Sequence, residues 1–303
     1  MIIAKHLTKR YGEYQAVDGV SFEIHAGEIF GFLGPNGAGK TSTLECMEGL
    51  RKPSSGFIQV AGINPWKEPR KLRNLIGVQL QSAGLPESMT PIDAMRIFCT
   101  YHDIYPRYEL LEKMGLDEKK NSQFYELSGG QQRRLTLSLA IAHNPSILFL
   151  EEPTAGLDVA TRVKLHDLIR ELKDRGTTII LATHDMAEAE ELSDRIAILM
   201  NGKIKKLGSP LEITATGAGL TKISVRTKNK SVFTDETTIP AVNHQTAKEE
   251  YKIYYSFDIK STISAILNQI ESHADTLIDL RVERPSLEDR FLEITNERSK
   301  ILS

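Results

Sequence analysis

The sequence lacks any apolar run long enough to cross a bilayer as a helix. Stretches such as Ser146-Ile147-Leu148-Phe149-Leu150 and Ile179-Ile180-Leu181-Ala182 fall far short of the roughly 20 residues needed, so a membrane-spanning chain is excluded. Cysteine is scarce: Cys46 and Cys99 stand apart with no CxxC spacing. That excludes a disulfide framework and a thiolate metal site, and both read as buried packing residues. A charge excess is missing as well, since 38 Lys and Arg against 40 Asp and Glu leave a net charge of -2. Nucleic acid is therefore not an expected partner. Met1-Ile2-Ile3-Ala4-Lys5-His6 offers no charged segment followed by an apolar one, so no secretion signal is expected and the location read from the sequence is cytoplasmic.

What is present is ordinary folded material, 40% hydrophobic and 26% charged. A length of 303 residues suggests one large domain with a smaller appendage. Alternation in Val20 to Ile24 and the apolar segment Ile29 to Leu33 predict strands, and a helix is expected from Thr41 to Leu50. Residues 84–144 read as a helical insertion, with Pro91 in a first helical turn after Thr90. Ile147 to Leu150 and Thr177 to Thr183 predict strands flanking a helix that carries Leu165, Leu168, Ile169 and Leu172 and stops at Gly176. Strand, helix, strand in this order implies a parallel crossover. Small residues at 214–221 read as a linker, and the alternation at 222–226 and 251–255 opens a small α+β domain over 222–303. Its last helix is expected to begin at Ser286, with Asp289 three residues on as a capping-box variant.

Gly34-Pro35-Asn36-Gly37-Ala38-Gly39-Lys40-Thr41 fits GxxxxGK[ST] and lies between a predicted strand and a predicted helix. Glycines let backbone N–H groups wrap phosphate oxygens, and the helix N-terminus adds a favourable dipole. Lys40 is expected on the β- and γ-phosphates and the Thr41 hydroxyl on magnesium. Glu152 ends a buried strand, where a general base could reach an attacking water, and His184 ends the next strand, where it could donate to a γ-phosphate.

Leu127-Ser128-Gly129-Gly130-Gln131 with Gln132-Arg133-Arg134 is identical to the signature of the ATP-binding cassette (ABC) ATPases, and the chain resembles that family over roughly residues 1 to 212. The resemblance implies an α/β P-loop NTPase core with a mainly parallel sheet, an antiparallel β subdomain and a helical subdomain, together spanning 1–213. It also implies Mg-ATP as cofactor. Tyr11 would stack on adenine, Val17 would also bind the nucleotide, and Asn36, Gly37, Ala38, Gly39, Lys40, Thr41 and Ser42 would hold the phosphates. Gln81 would contact magnesium, the attacking water and the membrane partner. Ile147 to Leu150 with Glu151 and Glu152 resembles the Walker B strand with a metal-shell acid and a catalytic carboxylate. Ala155 to Asp158 resembles the D-loop, and His184 the switch histidine. Taken singly, Tyr11 is also readable as a surface aromatic, Gln81 as a solvated loop residue and His184 as a core histidine. The signature residues Ser128, Gly129, Gly130 and Gln131, and Asp158, would act in trans across a head-to-tail dimer with a second ATP-binding subunit.

The tail from Arg281 to Glu293 resembles ATPases serving ABC-2-type exporters, including antibiotic and multidrug efflux systems; a capped helix completing a small fold explains the same residues. The implied protein is a hydrolase that powers separate transmembrane permease subunits from the cytoplasmic face of the membrane. Two other readings are a regulatory nucleotide-binding module with weak hydrolysis and a soluble ABC ATPase of translation or DNA repair. The family normally carries Asp before the catalytic Glu, where this chain has Glu151. One extra methylene beside a cation that demands near-octahedral geometry is expected to leave ATP binding normal and slow turnover. Steady-state hydrolysis by Glu151→Asp is expected to exceed that of the native chain; an equal rate with equal metal dependence would show the methylene to be harmless.

Overall fold

The chain opens with a hairpin, β1 (Ile2–Tyr11) and β2 (Tyr14–Ile24), turning at Gly12. The buried strand β3 (Ile29–Leu33) runs into the glycine-rich turn, after which α1 (Lys40–Met47) begins. β4 (Ser55–Val60) returns to pair with β1, so β2-β1-β4 form an antiparallel sheet. After α2 (Pro69–Arg73) and β5 (Ile76–Gln79) come α3 (Pro91–Tyr101), α4 (Tyr108–Lys113) and α5 (Gly129–Ala140). The alternation then runs β6 (Ile147–Glu151), α6 (Val159–Asp174), β7 (Thr178–Thr183), α7 (Met186–Leu192), β8 (Arg195–Met200) and β9 (Lys203–Gly208). This computed structural model describes residues 1–81, 84–215, 220–234, 239–283 and 286–296. It divides by contacts into Met1–Ser209 and Pro210–Ser303.

In the first unit the main sheet has the order β5-β6-β7-β3-β8-β9, parallel throughout except that β9 pairs antiparallel to β8. Strands β3, β6 and β7 are buried along their whole length, as strands covered on both faces must be. Side chains alternate between two apolar layers. Leu148, Leu150, Ile179 and Leu181 face a cluster with Met95, Leu135, Leu139, Leu165 and Ile169 of the helices. Ile147, Phe149, Ile180, Phe30 and Phe32 face a cluster with Ile2, Leu7, Phe22 and Ile58 of the antiparallel sheet and Leu44 and Met47 of α1. The fold is thus the mixed α/β arrangement with a helical insertion and an antiparallel subdomain that the sequence implied. Cys46 and Cys99 are both free and buried, one in each layer.

Helix boundaries follow local chemistry. Thr90 caps α3 by accepting from Asp93 N, with Pro91 in the first turn. α1 ends at Met47, earlier than expected, because Gly49 turns the chain at φ 77°.

The second unit holds α8 (Pro210–Ala215), β10 (Thr221–Thr227), α9 (Ser231–Thr234), β11 (Val242–Lys248), β12 (Tyr251–Ser256), α10 (Ile259–Ser272), β13 (Leu277–Glu283) and α11 (Leu287–Asn296). Its antiparallel sheet has the order β11-β12-β10-β13, and α10 packs Ile266 and Ile270 against Ile223, Val225 and Tyr254. Ser286 and Asp289 exchange the reciprocal bonds of a capping box, Ser286 N to Asp289 Oδ2 at 2.9 Å and Asp289 N to Ser286 Oγ at 3.2 Å. Residues 216–219 of the suggested linker, and Arg284 and Pro285 of the tail, lie outside the described residues.

Gly77 in β5 shows how tightly the sheet meets α5. A Cβ there would lie 2.1 Å from the backbone oxygen of Ala140, so β5 or the end of α5 would have to shift. Gly77→Ala is expected to destabilise the chain by about 1–3 kcal/mol, read as a lower urea midpoint with unchanged slope; an unchanged midpoint would contradict this packing.

Candidate active site

Parallel β3, β6 and β7 deliver their C-terminal ends to one place, where open α/β sheets bind ligands. A cavity of about 380 Å³ lies there, lined by Tyr11, Tyr14, Ala16, Asn36 to Ser42, Gln81, Glu151, Glu152 and Ala182. The loop from Gly34 to Gly39 forms one wall. At Gly39 the backbone has φ 102°, and an added Cβ would meet the Ala16 carbonyl oxygen at 2.3 Å, so only glycine fits. Gly39 provides no side-chain cap for α1, which leaves N–H groups of the first turn to bind an anion. Lys40 is buried beside them, donating from Nζ to the carbonyls of Gly34 at 2.6 Å and Pro35 at 3.3 Å. Burial lowers its pKa, opposed by the charges of Glu152 and Glu151.

The acids come from the end of β6. Glu151 is buried; its Oε2 accepts from Gln81 N at 3.4 Å, while its Oε1 has no partner among the described residues. Glu152 follows with φ 47°, its N–H donating to Ala182 O at 2.8 Å and its Oε2 2.8 Å from His184 Nδ1. His184 does not line the cavity but reaches it through this contact. Within electrostatic reach of Glu151 is Glu48, buried, with neither carboxylate oxygen hydrogen-bonded among the described residues. Burial first, then the charges of Glu151 and Glu45, push its pKa up to about 8.

Of the residues read from the sequence, Tyr11, Asn36, Gly37, Ala38, Gly39, Lys40, Thr41, Ser42, Gln81, Glu151 and Glu152 share this cavity. Val17 does not line it: its side chain is wholly buried in the apolar layer, and its neighbour Ala16 faces the cavity instead. Ser128, Gly129, Gly130, Gln131 and Asp158 also lie outside the lining. Ser128 caps α5 in a capping box with Gln131, and Asp158 caps α6 by accepting from Thr161 N at 2.9 Å. The sequence reading missed Tyr14, whose hydroxyl donates to Gly37 O at 3.2 Å, and Ala182. The hairpin Tyr11-Gly12-Glu13-Tyr14 was the available signal, because pairing brings the two tyrosines side by side.

A family model described as "ABC transporter" matches residues 17–155. The linearmycin resistance ATP-binding protein LnrL of Bacillus subtilis is 32% identical over 97% of this chain and 98% of its own length. The chain belongs to the ABC transporter ATP-binding family. A Nod factor export ATP-binding protein I of Ralstonia nicotianae is 34% identical over 97% of this chain and 93% of its own. Among solved structures, the dimeric bacterial ABC transporter cassette MJ0796 aligns with a TM-score of 0.64 at 28% identity, covering 69% of this chain and 98% of that one. The same cassette in a post-hydrolysis state bound to ADP and Pi aligns at 0.63 and 27%, with the same coverage. The ABC protein described here is accordingly an ATP-binding and ATP-hydrolysing transporter subunit.

Glu48 gives this cassette a pH-dependent stability. The folded carboxyl keeps its proton to about pH 8, whereas the ordinary value is 4.5. The folded state therefore binds more protons between those values, and stability falls as pH rises through that window. Glu48→Gln is expected to flatten this loss, on the order of a few kcal/mol, and to exceed native stability at about pH 9 in urea melts. Parallel pH profiles for the two chains would refute it.

Proposed function

We propose that the cavity binds Mg-ATP, with Asn36 to Ser42 around the phosphates, Lys40 on the β- and γ-phosphates and Tyr11 against adenine. Glu152 would be the general base for the attacking water. The single observation that carries this reading is the convergence of a buried ammonium, uncapped helical N–H groups and two buried carboxylates on one cavity. The residues fit a magnesium ion: Glu151 presents a buried oxygen without a hydrogen-bond partner among the described residues, and Thr41, which carries a hydroxyl, lines the same cavity. Hard cations take oxygen ligands and usually hold substrate phosphates as well. Thr41, Glu151 and Gln81 would hold the ion, which when bound supplies charge neutralisation on the phosphates.

This chain's own residues would supply the rest. Imidazole Nδ1 of His184 orients the Glu152 carboxylate and leaves the other ring nitrogen available for a phosphate oxygen. The signature residues Ser128 to Gln131 and Asp158 stay outside the cavity, which supports their use on the nucleotide of a second cassette in a homodimer. An apolar groove of about 220 Å³ beside Gln81, lined by Val78, Leu80, Leu85, Phe98 and Leu139, supports docking of a cytoplasmic permease helix there. No helix among the described residues is long and apolar enough to cross a membrane, so a permease would have to supply the transport path. Relatives named for linearmycin resistance and Nod factor export favour an ABC-2-type exporter, with this subunit on the cytoplasmic face of the membrane.

With purified chain and Mg-ATP, Glu152→Gln is expected to retain ATP affinity, lose hydrolysis by on the order of a hundredfold or more and accumulate an ATP-dependent dimer on gel filtration. Lys40→Ala is expected to lose nucleotide binding itself. Hydrolysis by Glu152→Gln at the native rate would remove Glu152 from the role of base.

A further inference from the structure

Arg133 lies in α5, two residues after Gln131, and does not line the nucleotide cavity. Its guanidinium Nη1 donates to the backbone carbonyl of Glu152. Its own carbonyl accepts from Gln79 Nε2 at 3.2 Å, at the end of β5 and two residues before Gln81. The same guanidinium is electrostatically coupled to the carboxylates of Glu152 and Glu188. Glu188 lies on α7, which begins two residues after His184, buried with its Oε1 3.8 Å from His166 Nε2. One side chain thus connects the signature helix to the residue read here as the base, with the Gln81 strand tied to its backbone and the helix after His184 within reach of its charge.

Glu152 needs such support. A φ of 47° places a non-glycine residue in the left-handed region, which persists only where surrounding structure over-determines it. Its N–H is held by Ala182 O, and its carbonyl is shared by Arg133 and Ala155 N, the latter at 3.2 Å. Without the guanidinium, the carbonyl keeps only the long local bond, and the peptide is freer to rotate. Rotation about this backbone would swing the carboxylate away from a water it must reach within hydrogen-bonding distance.

We propose that Arg133 is a positioning residue for hydrolysis, which fixes the backbone of Glu152 from the signature helix and so makes the base competent only while α5 is seated. The proposal rests on the reading of Glu152 as general base. A displacement of α5 would be transmitted to the base directly, without passing through the nucleotide.

The test uses the full chain with Mg-ATP. Arg133→Met is expected to lower kcat about ten- to a hundredfold, the scale on which small misplacements act, with the ATP dissociation constant within about twofold of native. Arg133→Lys, which keeps a cationic donor, is expected to recover part of kcat. In a Glu152→Gln background, Arg133→Met is expected to add no further loss, because both changes remove one function. Native kcat in Arg133→Met, an equal fall in ATP affinity, or a full additional loss in the Glu152→Gln background would each overturn the proposal. If Arg133→Met does not fold, Arg133→Gln carries the same test, with reduced kcat at native affinity expected and native kcat overturning it. Glu152→Gln alone separates the two ideas: native hydrolysis there overturns both, whereas its loss beside an unaffected Arg133→Met overturns only the role of Arg133.

Discussion

Two-sided burial of β3, β6 and β7 is the constraint on which the rest of the structure depends. Strands with apolar layers on both faces leave no room for a polar side chain along their length. Chemistry is displaced to their ends, and parallel pairing puts those ends on the same edge. The glycine-rich loop after β3, the acids closing β6 and the histidine after β7 meet there because the register pairs Leu33 with Thr183 and Glu151 with Ala182. The remaining elements complete this arrangement: the antiparallel sheet and α1 cover one face, and the helical insertion with α6 covers the other.

The second organising feature is a dense set of buried charges. Lys40 is desolvated yet faces two carboxylates, and Glu48 avoids adding a third negative charge by holding its proton. Such a cluster is unfavourable unless charges are paired or neutralised. The proposed Mg-ATP would relieve this cluster, its phosphates facing the ammonium and its metal facing Glu151. Strain at Glu152 belongs to the same economy of geometry. A left-handed turn immediately after β6 redirects the chain, so that successive acids serve different tasks: Glu151 at the strand end and Glu152 against His184.

How much was legible in the sequence depended on how local the determining contacts are. The run Gly34 to Thr41 was readable because its geometry is set by its own glycines and by the helix that follows. The Ser286–Asp289 cap was readable for the same reason, as one turn of helix with its reciprocal hydrogen bonds. Register across strands is not local, and it was less legible. Ala16 and Val17 of β2 are both buried, and it is Ala16 that lines the cavity while Val17 packs in the apolar layer. Tyr14 escaped notice because its place depends on pairing with Tyr11 across the hairpin. Strand β11, with its polar sequence Val242-Asn243-His244-Gln245-Thr246-Ala247-Lys248, carries little apolar signal and is a strand through its pairing with β12.

The amino-acid sequence by itself determined the family, the strand–helix–strand crossover and the glycine-rich loop between β3 and α1, since these reside in contiguous residues whose backbone preferences and side-chain chemistry act at short range. Only the tertiary structure decided which of those residues share a cavity and which remain outside it. It alone showed that Glu48 is buried within electrostatic reach of Glu151 with no hydrogen-bond partner among the described residues, and that Arg133 reaches the carbonyl of Glu152. These relations join residues far apart in the chain, and they exist only because close packing of a doubly covered sheet brings strand ends and helix faces to fixed distances.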